Sequence, residues 1–451
     1  MIKTVVLNMP FIIGLLIFPV FLLVIFNSYN WQFIPISFYI IWFFLSKLPL
    51  INSKNNRISN KFWIFSFTSV LFGTLIILFL FPFVKLPEPT GSFKVGTNYL
   101  VLNDSSRINA DTSSKTSVRE IYSQIWYPAN LSGNEDKDIY IPDAILFSRL
   151  LTKSQNISWL PFLLNHLGKV KTNSYLNAQV LDSDGRFPVI IFSHGLNQFY
   201  KFNTSIIEEL VSNGYIVIGI VHPYDTPCAV NNNKLVVYKQ KNIYDEQIKL
   251  EDSAKLDSVW MKIETSDNLS EQQELYRQFY DIMPVEWYER YSSWMKDILF
   301  VKKELSRINI QYFNKSMNLN SIGVIGFSFG GGAAGLAAMA DTSIKAGINL
   351  DGWQPGHLNK KYFQCPFMFI TSEEHKGANG FFQKYSEKEV LELTIPDTKH
   401  PNFNDMAFLL GKGFQYLGYV GRTDGRQGLS NIKKSVVRFF DVNLKGKMCI
   451  R

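Results

Sequence analysis

Two stretches near the start of the chain, residues 4–26 (TVVLNMPFIIGLLIFPVFLLVIF) and 62–84 (FWIFSFTSVLFGTLIILFLFPFV), each run for 23 residues without a charged side chain. A bilayer core takes about 20 apolar residues per helix, so either run is long enough to cross one. Between them lies a shorter run, 33–45 (FIPISFYIIWFFL). It spans only if Trp31 and Gln32 are enlisted at one end and Lys47 snorkels at the other. The expectation is therefore three transmembrane helices within residues 1–86. A cleaved signal peptide is a poorer reading of the first run, which outlasts the usual apolar region of about 7–15 residues and has no small-residue cleavage site after it.

The loop charges set an orientation. The connection 46–61 holds Lys47, Lys54, Arg57 and Lys61, whereas 27–32 (NSYNWQ) holds none. Positive residues stay in the cytoplasm, so the chain after residue 86 is expected on the extracytoplasmic side of an integral membrane protein. Lys3 agrees with this; Lys85 runs against it. The segment 87–95, within and after the Pro- and Gly-containing LPEPTGS, reads as a linker to a domain at 96–451.

That remainder is neither disordered nor nucleic-acid binding. The whole chain is 46% hydrophobic and 19% charged, which excludes extensive disorder. Of the net charge of +8, residues 1–91 hold +5, and no basic tract exists elsewhere to follow phosphates. Cys228, Cys365 and Cys449 are too scattered for a disulfide framework or a zinc site.

Four short β-branched runs, 189–192 (VIIF), 216–221 (IVIGIV), 322–325 (IGVI) and 366–370 (PFMFI), alternate with amphipathic patterns such as 205–212 and 292–305. Continuous apolar strands separated by helices indicate an α/β fold, with a mostly parallel sheet covered on both faces. A charged stretch near 240–300 reads as a helical insertion. It either caps the site, touches the membrane or is simply a solvated excursion.

Residues 326–330 read GFSFG, after the strand IGVI and before the small-residue helix AAGLAAMA. This is the context of a nucleophile elbow, a strained turn that exposes a serine, here Ser328, while glycines avoid a clash of strand and helix. Amides at the helix start face an oxyanion. A serine needs a base, and with such an elbow the acid and then the histidine follow in the chain. Of the later histidines, His357 follows the serine too closely, only six residues past Asp351, and His375 in SEEHKG reads as a surface residue. His400, in the polar turn DTKHPNFND after the strand-like LELTI, is the candidate base. For the acid, Asp351 past AGINL competes with Glu373 and Glu374 one strand later; Asp397 and Asp405 read as residues that shape the histidine loop. FSHGL (192–196) follows the strand VIIF, so the N–H of Leu196 is the candidate second oxyanion donor opposite that of Phe329, with His194 structural.

Together, QIWYP (124–128), FPVIIFSHGL, GYIVIGIVHP (214–223), GFSFGG, INLDGW, KHPNFND and VRFFDVNLKG (437–446) resemble the platelet-activating factor acetylhydrolase family, the lipoprotein-associated phospholipase group of α/β-hydrolases. The resemblance spans about residues 120–445. It implies an α/β-hydrolase fold and Asp351 as the acid, since the family's acid lies in an L-D-x-W segment about two dozen residues past the serine. It carries the base to His400 and the oxyanion donors to Leu196 and Phe329. The elbow departs from the family in having Phe327 where histidine is usual, and the N-terminal spans are an addition. Residues 158–168 (SWLPFLLNHLG) resemble a helix lining the approach to the site.

The resulting expectation is a membrane-tethered, calcium-independent serine hydrolase of phospholipid or other lipid acyl esters, working through an acyl-enzyme without metal or organic cofactor. Lipid or a small ester is its expected substrate and the membrane its partner. Alternatives are a carboxylesterase, polyester hydrolase or peptidase with the same Ser328–His400–Asp351 set, or a non-catalytic surface protein of the same fold. The uncharged spans and large folded remainder argue against a transporter.

Overall fold

The computed structural model describes residues 30–46, 60–108, 118–154, 157–183, 185–238, 250–266, 268–283, 285–356 and 362–448. They divide into two compact units. The larger, drawn from Leu86–Pro142, Lys171–Phe408 and Gly418–Arg451, is an α/β domain.

Its strands are β1 (Lys94–Ile108), β2 (Val118–Asn130), β3 (Lys137–Ile139), β4 (Lys171–Leu176), β5 (Gln179–Val180), β6 (Phe187–Ser193), β7 (Ile216–Ile220), β8 (Cys228–Asn231), β9 (Lys234–Val237), β10 (Met317–Phe327), β11 (Ile344–Leu350), β12 (Phe367–Ser372) and β13 (Val390–Ile395). The main sheet runs β13-β12-β11-β10-β6-β7-β2-β1-β4-β3, with β5 paired to β2; β8 and β9 form a separate hairpin. Strands β13 through β7 in that order are all parallel, and β2 then pairs antiparallel to β7. The sequence of β6 explains its central place: FPVIIFS has all seven residues buried, as a strand covered on both faces requires. Because neighbouring strands are parallel, their carboxyl ends lie along one edge, where open α/β sheets place their ligands.

The inserted stretch holds the helices Leu250–Thr265, Leu269–Ile282 and Val285–Tyr312. It is not a solvated excursion: Leu256, Val259, Ile263, Leu275 and Phe279 join the same buried cluster as the sheet.

The smaller unit contains the described parts of Met1–Lys85 together with Asp143–Val170 and Leu409–Leu417. The helix Asn60–Leu80 is long and apolar enough to cross a membrane, and Ile64, Phe65, Phe72 and Leu75 are more than half exposed on it. The expectation of three such helices is not met: only this one is seen among the described residues. Its neighbour Ile34–Ser46 has 13 residues, about 20 Å of helix, too short to span alone. It packs against the long helix through Tyr39, whose hydroxyl donates to the Trp63 carbonyl at 2.8 Å. The first run, 4–26, and most of the charged connection lie outside the described residues. The segment 158–168 is also not the helix the resemblance implied. It is a string of turns ending in a short 3-10 helix, Asn165–Lys169, with Phe162 and His166 against Trp31.

Candidate active site

Ser328 ends β10 and starts the helix Phe329–Ala340 with φ 54° and ψ −125°, a conformation that costs a non-glycine residue about 1–3 kcal/mol. Its amide donates to the Leu350 carbonyl at 2.8 Å, fixing the turn to the neighbouring strand. Glycine is needed at Gly326, where a Cβ would meet the Gly330 carbonyl, and at Gly330, where one would meet the carbonyls of Ser193 and His194. The second contact brings the FSHGL backbone directly against the elbow.

Asp351 follows β11, also with positive φ, and is buried. One carboxylate oxygen accepts the Ser372 amide at 2.6 Å; the other lies 2.7 Å from Nδ1 of His400. Burial alone would raise the Asp351 pKa, but hydrogen bonds from His375 and His400 outweigh it and hold the carboxyl well below its usual range. His400 opens a 3-10 turn, His400–Phe403, in which the side-chain oxygen Oδ1 of Asn402 accepts the amides of Lys399 and Gly421 at 2.8 Å each. Its ring stacks on Phe327, the residue before Ser328, at 4.7 Å. Phe327, at the position where the resemblance calls for histidine, therefore supports the imidazole. Ser328 and His400 are partly exposed, while Asp351 is not.

Glu373 and Glu374 are exposed and occupied elsewhere: Glu373 accepts the Asp397 amide and Glu374 pairs with Lys399. Asp405 is buried and accepts from Tyr140, tying down the histidine loop; burial pushes it up to about 8 despite its hydrogen bonds with Ser205 and Tyr140. His357 lies outside the described residues. His375 is not simply a surface residue. Its Nδ1 is 3.2 Å from Asp351, and its side chain is 36% exposed.

The oxyanion side rests on His194, marked by the FSHGL motif, and on Tyr291, Trp294 and Asp297, which no sequence motif marked. Neighbours assign the ring proton of His194 to Nδ1: Nε2 accepts the His222 amide at 3.1 Å, so Nδ1 donates to the Gly195 carbonyl at 2.8 Å. That carbonyl belongs to the same planar peptide as the Leu196 N–H and points the opposite way, so fixing one aims the other. Phe329 is the first residue of its helix, so its N–H has no partner within the helix. Its ring is stacked on Tyr291 at 3.6 Å and meets Trp294 edge-on at 4.8 Å. Trp294 also stacks on His222 at 3.8 Å and touches His194 at 5.0 Å, so one buried indole braces both candidate oxyanion donors.

His222 links Ser193 to Asp297. Its Nε2 is 2.9 Å from Ser193 Oγ and its Nδ1 is 2.9 Å from Asp297, which Arg119 grips with two hydrogen bonds of 2.7 and 2.6 Å. Ser193, His194, His222 and Asp297 are all fully buried. Burial lowers His194 to about 3 and lowers His222 too, so both rings are neutral; burial would raise Asp297, but Arg119 holds it ionised. The helical insertion supplies Tyr291, Trp294 and Asp297, so its contribution became visible only in three dimensions.

Comparison with known proteins bears on the family and the fold. The profile of "Platelet-activating factor acetylhydrolase, isoform II" matches residues 79–448. The chain is 25% identical to the platelet-activating factor acetylhydrolase of Cavia porcellus over 385 residues, covering 81% of this chain and 79% of that one. It is 24% identical to the "Probable 1-alkyl-2-acetylglycerophosphocholine esterase" of Arthroderma benhamiae over 391 residues, covering 80% of this chain and 89% of the relative. Among solved structures, a ferulic acid esterase from Streptomyces cinnamoneus superposes with a TM-score of 0.60 at 19% identity, over 82% of this chain and 95% of that chain, which speaks for the fold.

Proposed function

The chain belongs to the platelet-activating factor acetylhydrolase isoform II family, a family of lipid ester hydrolases, and from that premise we propose that it cleaves short or oxidised acyl chains from phospholipids at Ser328. The observation that carries the assignment of residues is the Asp351–His400 contact of 2.7 Å beside a strained, partly exposed serine. Ser328 Oγ attacks the acyl carbonyl while His400 Nε2 takes its proton. The carbonyl oxygen becomes an oxyanion facing the N–H groups of Leu196 and Phe329, worth about 10²–10³-fold in rate for each donor. Collapse breaks the bond to the alcohol, which leaves with the proton from His400. Water, deprotonated by His400, then releases the acid and restores the serine. Asp351 keeps the imidazole in the tautomer with its proton on Nδ1 and stabilises the cation.

No step calls for calcium, because the charge that develops is met by amides. The apolar helix Asn60–Leu80 supports a second part of the reading, that the domain is tethered to a membrane, and the Lys- and Arg-bearing connection before it favours the outer face for the domain. The experiment is hydrolysis of phosphatidylcholines with sn-2 chains lengthening from acetyl, with calcium chelated, beside an amide of the same acyl group. Release that falls with chain length and spares the amide is expected. Equal cleavage of the amide would favour a peptidase, and turnover of soluble esters alone a general carboxylesterase.

A further inference from the structure

Asp351 carries one imidazole more than a proton relay uses. Its first oxygen is already satisfied by the Ser372 amide and its second by His400, yet Nδ1 of His375 also stands 3.2 Å away. We infer that Asp351, His375 and His400 form a binding site for a divalent transition cation of the zinc type, and that occupation of this site switches the hydrolase off. The binding half stands on the three side chains alone; the inhibitory half rests on the function proposed above.

The ligand atoms of the three residues lie within 4.8 Å of one another. Zinc holds nitrogen at about 2.0–2.1 Å and carboxylate oxygen at about 2.0–2.2 Å, so donors on one tetrahedral ion are roughly 3.3 Å apart. Closing the remaining gap needs a shift of little more than an ångström, and the two rings are placed to make it. His375 ends the short 3-10 turn Glu373–His375, His400 opens another, and their side chains are 36% and 32% exposed. Asp351, by contrast, is fixed within the edge of the sheet. Two imidazoles and one carboxylate suit zinc, copper or nickel and not calcium or magnesium, which prefer oxygen. Three protein ligands leave a fourth position for water. Lys399, beside His400 in the chain, is paired with Glu374 at 3.0 Å.

Occupation would block the relay by moving a proton. Both histidines now point Nδ1 at the carboxylate and carry a proton there. A metal on Nδ1 leaves each neutral ring with its single proton on Nε2, and no proton is lost overall. His400 Nε2 is the atom that must accept from Ser328; protonated, it cannot.

The test uses the full chain in detergent, stripped with a chelator and titrated with Zn²⁺. Binding is measured calorimetrically in the Ser328→Ala chain, with Co²⁺ as a spectroscopic probe of ligand geometry, and inhibition is measured in the wild type on a short-chain ester. The expected result is one ion per chain, a visible Co²⁺ band of low coordination number, and turnover that falls with occupancy and returns with chelator. Both His375→Gln and His375→Ala should weaken binding and inhibition together by at least about tenfold, and testing two replacements guards against one that misfolds. A wild type that binds no zinc, or binding and inhibition that survive both replacements, overturns the site. Zinc binding that depends on His375 in a chain without esterase turnover upholds the site and overturns the proposed function instead.

Discussion

The molecule twice pairs an aspartate with a histidine near a serine. In one set Asp351 holds His400, whose ring stacks on Phe327, the residue before Ser328; in the other Asp297 holds His222 against Ser193. The carboxylate-to-imidazole contacts are similar, 2.7 and 2.9 Å. What separates the sets is everything around them. Ser328 sits at positive φ on an elbow, partly open to solvent, whereas Ser193 is the last residue of a regular strand and fully buried. A relay becomes a site only where a substrate can arrive and its oxyanion can be met. The buried copy has neither; it braces the loop that carries Leu196, one of the two proposed oxyanion donors.

Substitutions can break this contrast, and the largest effect belongs to the two serines. Ser328→Ala should lower ester turnover by about 10⁴-fold or more. Ser193→Ala should leave the active-site serine reactive and cost about 1–3 kcal/mol of stability, because His222 Nε2 loses its donor. Steady-state kinetics beside denaturant titration separates the two; equal loss of activity in both would erase the distinction.

The two aspartates should part in the same way. Asp351→Asn should cut kcat by about 10⁴-fold with a near-normal melting midpoint, since the neutral amide favours the wrong imidazole tautomer. Asp297→Asn should instead destabilise by about 3–5 kcal/mol, leaving Arg119 buried without its counter-charge. Smaller is the effect of His194→Ala, which releases the Gly195 carbonyl. About a 10²-fold fall in kcat with KM little changed is expected, and a change confined to KM would contradict the clamp.

The smallest contrast is in pH. His194 and His222 are neutral when folded and take up a proton near pH 6.5 when unfolded, so the unfolded state binds more protons below that value. The stability they contribute is present above pH 6.5 and is lost as pH falls below it, for His194 on the way down to about 3. Asp405, raised to about 8, acts oppositely: its contribution is lost as pH rises from about 4 through 8. Urea midpoints in Asp405→Asn should therefore climb more steeply between pH 4.5 and 6.5 than in wild type; an unchanged slope would refute the assignment.

These contrasts also mark what a sequence can disclose. The elbow was legible because it needs glycines at fixed offsets from Ser328, and the mostly parallel sheet because β6, β7 and β10 are apolar runs too short for helices. Asp351 and His400 were legible by chain order and by resemblance. Trp294, Asp297, His222 and His375 were not, because the first three meet through helix-to-sheet packing across about 75 residues and a lone His beside two glutamates resembles any surface loop. The second apolar run read as a possible span because composition registers hydrophobicity and not where a helix stops, here at Ser46.

The most direct test of the central claim, that only the exposed relay is reactive, is labelling of the detergent-solubilised chain with a fluorophosphonate, with the modified peptide identified by mass. The account predicts a single adduct on Ser328, absent from Ser328→Ala and retained in Ser193→Ala. An adduct on another serine, or none on the folded wild type, would contradict it.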